Sequence, residues 1–159
     1  MKTHKVMKSS VLASRLNQEK RRGKTIVFTN GVYDLIHAGH ITLLEKSKRL
    51  GDILVVGINS NASVKRLKGP KRPLVGESDR ALVLSALEAV DYVTVFSEDT
   101  PYELLEKLQP DILVKGGDYA LEKIVGRNLV KKVVRIPLVK GRSTSNLIEK
   151  VLKAYGKSR

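Results

Sequence analysis

The stretch that decides the fold runs from residue 25 to residue 40 and reads TIVFTNGVYDLIHAGH. Its first five residues are β-branched or aromatic. They show no alternation of buried and exposed positions, which is typical of a strand covered on both faces. Two histidines, His37 and His40, then precede an apolar pattern over residues 41–50 that predicts a helix ending at Gly51. A buried strand, a glycine-containing loop and a helix in direct succession indicate a parallel α/β sheet.

The rest of the chain continues this alternation of strands and helices. Further strands are predicted at 53–58, 92–96, 112–115 and 133–136, and helices at 9–20, 81–90, 100–108 and 144–154. We therefore predict an α/β fold with a Rossmann-like, doubly wound parallel sheet of five strands. Ligands of such sheets bind at the carboxyl ends of the strands, so the segments that follow each strand are expected to carry the chemistry.

Length and composition restrict the class of protein. The 159 residues predict a single domain, 1–159, in which residues 1–24 form a basic and helical N-terminal extension. An apolar fraction of 42% supports a core, and the absence of cysteine excludes disulfides, thiolate zinc sites and a cysteine nucleophile. The N-terminus does not resemble a secretory signal, and no apolar run reaches the roughly 18 residues of a membrane helix. We expect a cytoplasmic protein without membrane insertion.

The net charge of +14 is concentrated at the two ends of the chain. Residues 1–24 carry +7 and residues 127–159 carry +9, whereas residues 25–126 carry −2. Basic ends attract polyanions or an acidic surface, and they also suit a solvated, soluble protein. A nucleic-acid-binding module is one interpretation, but the chain has only seven Phe and Tyr residues and no recognisable binding motif. We expect no nucleic-acid partner.

The two histidines predict a phosphate site. At the start of a helix, a spacing of three places both imidazoles on one side, beside backbone N–H groups that lack acceptors. The helix dipole also favours a phosphate there. Gly31 and Gly39 allow the backbone to approach a ligand closely.

Three other interpretations of the histidines stay open. They could be core or surface residues without a ligand. They could bind zinc, although no third ligand is apparent because His4 lies in the basic N-terminal segment. The pair is also related to the His-x-Gly-His signature of class I tRNA synthetases, which are much longer chains.

Basic residues follow the second strand. Asn59-Ser60 leads into residues 65–73, a basic stretch that we interpret as a mobile loop closing on phosphates or, alternatively, as a solvated loop. Arg80 lies near the start of the next helix and is predicted to offer a forked contact to phosphate. Its alternative role is an ion pair with Glu77 or Asp79.

The last two strands are followed by turns that suit an anionic ligand. Residues 115–119 read KGGDY and predict a tight bend that exposes backbone groups, with a plain turn as the alternative. Ser143, Thr144 and Ser145 enter the last helix and predict both an ordinary N-cap and a second anion site facing the first.

These segments occur in the order found in the cytidylyltransferase-like nucleotidyltransferases, which the chain resembles over about residues 20–155. Within that superfamily it is most similar to the D-glycero-β-D-manno-heptose 1-phosphate adenylyltransferases, often the C-terminal half of a bifunctional heptose kinase/adenylyltransferase. Residues 86–91, 98–101 and 113–119 point to this branch. Leu138 and Arg142 stand where glycerol-phosphate cytidylyltransferases have Arg and Ile, which weakens that relationship.

The resemblance implies transfer of AMP from ATP to the sugar 1-phosphate, giving ADP-heptose and pyrophosphate for lipopolysaccharide core synthesis. The attacking phosphate oxygen is already anionic, so the enzyme needs no general base and no covalent intermediate. Its work is then positioning and charge stabilisation of an in-line displacement. The resemblance also implies a homodimer and Mg²⁺ held largely by phosphate, with Asp34 as a candidate metal ligand or a group that orients a histidine.

The implied site has two sets of residues. The implied catalytic residues are His37, His40, Lys65 and Arg72. The implied nucleotide-binding residues are Thr29, Asn30, Gly31, Tyr33, Asp34, Gly39, Asn59, Arg80, Lys115, Gly117, Asp118, Tyr119, Ser143, Thr144 and Ser145. Residues 115–119 are expected near the base and ribose, and 143–145 near the leaving pyrophosphate.

Related activities stay open at this point. A sister transferase for glycerol phosphate, another sugar phosphate or a flavin precursor would share the same site. A regulatory protein that binds nucleotide without catalysis is a further alternative.

Overall fold

The computed structural model describes residues 4–117, 120–137, 139 and 143–156. The predictions for Asp118, Tyr119, Leu138 and Arg142 therefore lie outside the described residues. The helices and strands are α1 Ser9–Arg21, β1 Ile26–Gly31, α2 Ala38–Lys48, β2 Ile53–Asn59, α3 Asn61–Lys68, α4 Glu77–Ser85, β3 Tyr92–Phe96, α5 Tyr102–Leu108, β4 Ile112–Gly116, β5 Lys132–Ile136 and α6 Thr144–Tyr155. Two 3₁₀ turns, Leu121–Lys123 and Arg127–Leu129, lie between β4 and β5.

The five strands form one parallel sheet in the order β3-β2-β1-β4-β5, which confirms the predicted doubly wound α/β fold. β1 pairs with β2 on one side, with Gly31 opposite Ile58, and with β4 on the other, with Thr29 opposite Val114. The chain leaves β1 first toward β2 and β3, and later returns to the far side of β1 as β4. The strand order thus reverses at β1, and this reversal opens a crevice at its carboxyl end.

Two apolar layers cover the sheet. On one face, α2 and α4 pack through residues such as Leu44 and Leu84. On the other face, α1 and α5 pack through residues such as Leu16 and Leu105. Because both faces are covered, the interior strand β2 is buried along its whole length, which explains its apolar sequence.

The predicted basic loop is partly wrong, because residues 61–68 form the helix α3. Ser60 caps this helix, since its hydroxyl oxygen accepts a hydrogen bond from the Ser63 backbone N–H at 3.2 Å. The buried Val64 anchors it to the core. The exposed Lys65, Arg66 and Lys68 made this segment resemble a basic loop. The N-cap signal of Ser60, a residue type common at that position, was therefore overlooked.

Helices α4 and α5 also differ from their predictions. α4 begins at Glu77 and ends at Ser85, four residues earlier at its start and five earlier at its end than predicted. α5 begins at Tyr102, two residues later than predicted, with Pro101 at the N-cap and no side-chain capping bond. α6 forms as predicted, but none of its described residues is buried. Among the described residues, no helix is long and apolar enough to cross a membrane.

Candidate functional site

Side chains from three neighbouring strand ends meet at the crevice above β1. They are Asn30 at the end of β1, Asn59 at the end of β2 and Lys115 near the end of β4, and all three line one cleft of about 410 Å³. The Lys115 ammonium donates a hydrogen bond to the Asn30 side-chain oxygen at 2.5 Å. The fold therefore brings together three residues that lie up to 85 positions apart in the sequence.

The two histidines stack on each other at the start of α2. Their ring centroids are 3.8 Å apart and the ring planes differ by 23°. His37 is the N-cap residue, in an extended conformation, and its carbonyl oxygen accepts the His40 backbone N–H at 2.9 Å. The spacing thus places both imidazoles on one side of the helix start, as predicted. They lie beside first-turn N–H groups that have no acceptor within the helix.

His40 is held in the neutral form. Burial, together with the neighbouring His37, lowers the pKa of His40 from 6.5 to about 4. At neutral pH its imidazole therefore carries one N–H donor and no charge. Such a group can donate to a phosphate oxygen, and the charge of a bound phosphate would favour its protonation.

The Tyr33 ring packs against His40. Its ring centroid lies 5.0 Å from that of His40 at an angle of 54°, and the side chain is buried. Burial raises the pKa of Tyr33 to about 12, with the Thr29 side chain acting in the opposite direction. A Cβ at Gly31 would lie 3.0 Å from the Tyr33 ring, so the glycine leaves room for that ring as well as for any ligand. Tyr33 and Gly31 position His40 in this structure.

Asp34 organises the segment that precedes α4. Its two carboxylate oxygens accept backbone hydrogen bonds from Leu74 and Val75, and one also accepts the Arg72 guanidinium at 2.5 Å. Burial alone would raise the pKa of Asp34, but these hydrogen bonds and the Arg72 charge outweigh it and hold the pKa below its ordinary value. Since the side chain is 1% exposed, the structure does not offer Asp34 as a metal ligand.

Arg80 directs most of its donors at protein oxygens, and Arg72 directs its Nε–H at Asp34. Arg72 is bound to Asp34, as described above. Arg80 is 1% exposed and donates four of its five N–H groups to protein oxygens. The acceptors are the carbonyls of Val75, Val32 and Asn59 and the side chain of Asn61.

Arg80 therefore makes neither the predicted forked contact to an open phosphate site nor an ion pair with Glu77 or Asp79. It ties the end of β2 to the segment after β1 and to the turn before α4. Its position in the structure makes it a positioning residue for the crevice.

The other predicted residues divide between the crevice and its supports. Thr29 is buried, and its hydroxyl donates to the Val114 carbonyl across the β1–β4 pair at 3.1 Å. Asn59 is buried and donates to the Ser63 hydroxyl at 2.9 Å. Lys65 is exposed on α3 rather than on a loop. Gly117 follows β4 at φ +109°, a conformation that favours glycine.

The turn before α6 lies close to the segment that leads into α2. The Ser143 hydroxyl oxygen accepts the Asn146 backbone N–H at 3.1 Å, which confirms the predicted N-cap. The Thr144 hydroxyl donates to the Leu35 carbonyl at 3.3 Å. This hydrogen bond links the N-terminus of α6 to Leu35, which lies two residues before His37 at the N-terminus of α2. Each of these helix N-termini is favourable for an anion.

The cleft also contains Lys68, Asp99 and Lys123. Lys68 and Asp99 belong to the predicted stretches 65–73 and 98–101, but Lys123, in the first 3₁₀ turn, was not singled out by the sequence. The folded chain alone brings Lys123 to the cleft, so no sequence motif could have marked it. Within the described residues there is no group of three or more His, Asp or Glu side chains that could hold a metal ion.

Comparisons with known proteins identify the family. The cytidylyltransferase-like family model matches residues 28–154. The chain belongs to this family. As predicted, it is a nucleotidyltransferase.

Curated relatives of this cytidylyltransferase-like chain carry the name bifunctional protein HldE. The protein from Syntrophotalea carbinolica is 58% identical over 88% of this chain and 29% of its own length. The protein from Geobacter sulfurreducens is 54% identical over 96% of this chain and 32% of its own length. The chain thus spans about a third of these relatives, which agrees with the predicted resemblance to one part of a bifunctional protein.

Two solved structures share the fold. A lipopolysaccharide core biosynthesis protein from Thermoplasma volcanium is 32% identical, with a TM-score of 0.63 over 74% of this chain and all of that chain. A pantoate-β-alanine ligase from Francisella tularensis has a TM-score of 0.60 over 93% of this chain and 78% of that chain. Its identity of 18% shows a likeness of fold alone.

The buried guanidinium of Arg80 generates a stability prediction. Arg80→Met should lower the free energy of unfolding by roughly 3 kcal/mol or more, because it leaves several buried oxygens without a donor. Urea denaturation monitored by circular dichroism measures the change. Arg66→Met is the matched control, since Arg66 forms an ion pair with Asp99 in which both side chains are about half exposed, and it should cost under about 1 kcal/mol. Equal losses in the two variants would contradict the positioning role of Arg80.

The lowered pKa of His40 generates a pH prediction. Above about pH 6.5 His40 is neutral in both the folded and the unfolded chain, so its contribution to stability is constant. As the pH falls from 6.5 toward 4, the unfolded chain binds a proton that the folded chain resists, and the free energy of unfolding decreases. His40→Gln should lose less stability than the native chain between pH 7 and pH 4.5 in urea titrations. The exposed His4 supplies the control, because His4→Gln should follow the native chain; the same pH dependence in all three proteins would refute the assignment.

Proposed function

We propose that the chain transfers AMP from ATP to D-glycero-β-D-manno-heptose 1-phosphate, with release of pyrophosphate. The main support is the stacked pair His37 and His40 at the N-terminus of α2, which follows the central strand β1. In this pair His40 is neutral. Family membership and the names of the HldE and lipopolysaccharide core relatives support this substrate pair. The product ADP-heptose would enter lipopolysaccharide core synthesis.

The transfer is a single displacement at the α-phosphorus of ATP. A phosphate oxygen of the sugar phosphate forms the new P–O bond, and the bond between the α-phosphorus and the bridging oxygen to the β-phosphate breaks. The leaving group is pyrophosphate, and no proton must be removed from the attacking oxygen. Such a reaction depends on positioning and on stabilising charge in the transition state.

The histidine pair would donate to the phosphate oxygens of the nucleotide as negative charge shifts during transfer. The N–H groups at the start of α2 and the linked turn at Ser143 and Thr144 would receive the pyrophosphate side. Lys65, exposed on α3, would approach the triphosphate from the solvent side. Mg²⁺ is proposed to enter with ATP, because phosphate oxygens and water supply most of its ligands in such sites. The ion would neutralise part of the triphosphate charge.

The remaining parts of the proposal concern assembly and location. We propose a homodimer, which light scattering after size exclusion would measure directly. We also propose that the protein works in the cytoplasm, where ATP is available.

A pyrophosphate-release panel tests the substrate pair. ATP and CTP are each combined with heptose 1-phosphate, glycerol 3-phosphate, glucose 1-phosphate and flavin mononucleotide. We expect release above background for ATP with heptose 1-phosphate, at a specificity constant at least about tenfold above every other pair, since each well-made polar contact is worth about that much. Preferential release with CTP and glycerol phosphate would overturn the substrate assignment, and nucleotide binding without release for any pair would overturn the catalytic one.

The role of His40 is tested by removing its side chain. His40→Ala should lower turnover by roughly 10²-fold or more, by analogy with the loss of a transition-state donor. It should leave the urea midpoint near that of the native chain, because the side chain is only partly buried. His4→Ala is the matched control and should retain full activity, since His4 is exposed in the N-terminal segment. Full turnover in His40→Ala would contradict the proposed role of His40 in the transition state.

A further inference from the structure

The cleft at the carboxyl ends of β1, β2 and β4 is separate from the histidine pair. Its floor is formed by strand ends, and its walls by the end of α3, the turn before α5 and residues 123–125. None of the described lining residues belongs to α2 or α6. Ile124 in its wall packs in the layer of α1 and α5, whereas α2 packs in the opposite layer. The cleft and the histidines therefore lie on opposite sides of the edge formed by β1.

The charges around the cleft favour an anion. Among the described residues, three lysines line it, namely Lys68, Lys115 and Lys123, against one carboxylate, Asp99. That carboxylate is already paired with Arg66 at 2.8 Å. The cleft thus presents an excess of positive charge in a part of the chain, residues 25–126, whose net charge is −2.

Lys115 is the most enclosed of these cations. Its ammonium is bound to the neutral side-chain oxygen of Asn30, and within the described residues no carboxylate lies at ion-pair distance from it. Burial lowers the pKa of Lys115 to about 8. A partly buried cation without a counter-charge is costly, and a bound anion in the cleft would remove that cost.

We propose that this cleft is the acceptor subsite and that Lys115, held by Asn30, binds the phosphate of the sugar phosphate. The inference rests on the proposed transferase function and deepens it by separating the two substrates in space. The volume of the cleft, about 410 Å³, falls within the roughly 300–1,000 Å³ that is usual for small-molecule sites. The proposal also changes the expected role of Lys115, which the sequence analysis predicted to lie beside the base and ribose.

The geometry of the reaction supports this division. An in-line displacement needs the attacking oxygen and the leaving pyrophosphate on opposite sides of the α-phosphorus. The N-termini of α2 and α6, linked through Thr144 and Leu35, would hold the pyrophosphate on one side of β1. The cleft would present the acceptor phosphate from the other side. Asn59 and Thr100, which also line the cleft, offer polar groups suited to sugar hydroxyls.

The test compares Michaelis constants in Lys115→Met. We expect the KM for heptose 1-phosphate to rise roughly 10- to 100-fold, as for loss of a charged hydrogen bond, while the KM for ATP changes less than about threefold. Lys115→Arg should recover part of the acceptor affinity. Lys46→Met is the matched control, because Lys46 is exposed on α2 outside the cleft, and both of its KM values should match the native ones. A rise in the KM for ATP with no change for the acceptor would overturn the proposal.

Two further measurements separate a binding role from a structural one, and from failure of the proposed function. Lys115→Met should not lower the urea midpoint, since it removes a largely enclosed cation that pairs with no carboxylate in the described part of the chain. A lowered midpoint with both KM values raised would indicate a structural role. Calorimetric titration of inorganic phosphate into the chain saturated with α,β-methylene-ATP needs no turnover. Phosphate binding that weakens about tenfold or more in Lys115→Met supports the subsite even if another acceptor proves to be the substrate. Equal phosphate binding by the native chain and the variant, or none by the native chain, would refute it.

Discussion

The parallel pairing of β1 with β2 on one side and β4 on the other is the constraint on which the rest of the molecule depends. Each strand is followed by a chain segment that must turn away from the sheet, and the segments after β1 and β4 turn away from each other. The crevice between them exists because the chain order reverses at β1. Asn30 and Lys115 meet there, 85 residues apart in sequence, because their strands are neighbours.

The crevice keeps its shape through buried polar contacts rather than through apolar packing alone. Asp34 and Arg80 both fasten the segment before α4, one through the backbone of Leu74 and Val75 and the other through the carbonyl of Val75. Both groups would be costly to bury without partners, and almost all of their hydrogen-bonding capacity is used within the protein. A charged residue next to a strand end is therefore no proof of ligand contact, because the frame of the site needs charges of its own.

This distinction explains how far the sequence could predict the molecule. The inner strands β1, β2 and β4 follow from unbroken apolar runs, since a strand buried on both faces leaves no other pattern. The edge strands β3 and β5, which are less buried, follow from the alternation of strands and helices along the chain. The placement of His37 and His40 on one side of the helix start also follows from local sequence, because their spacing of three predicts it, whereas the stacking of the rings is seen only in the structure. The role of Arg80 could not be foreseen, since its four acceptors come from three separate segments. Helix α3 was missed because its three charged side chains outnumber its two buried residues, Ser63 and Val64, of which only Val64 is apolar.

The site combines a neutral donor, His40, and a cation held by a neutral amide, Lys115, on the two sides of β1, and this difference has a physical basis. His40 loses its charge because a second imidazole and partial burial disfavour it, whereas Lys115 has a higher intrinsic pKa and remains largely protonated at neutral pH despite its burial. A group that is neutral before reaction adds little attraction for the ground-state triphosphate, so its interaction can strengthen as charge develops. A standing cation, in contrast, attracts an anion before any bond changes. On this reasoning the histidine side of the crevice is suited to lowering the barrier, and the lysine side is suited to holding the second substrate.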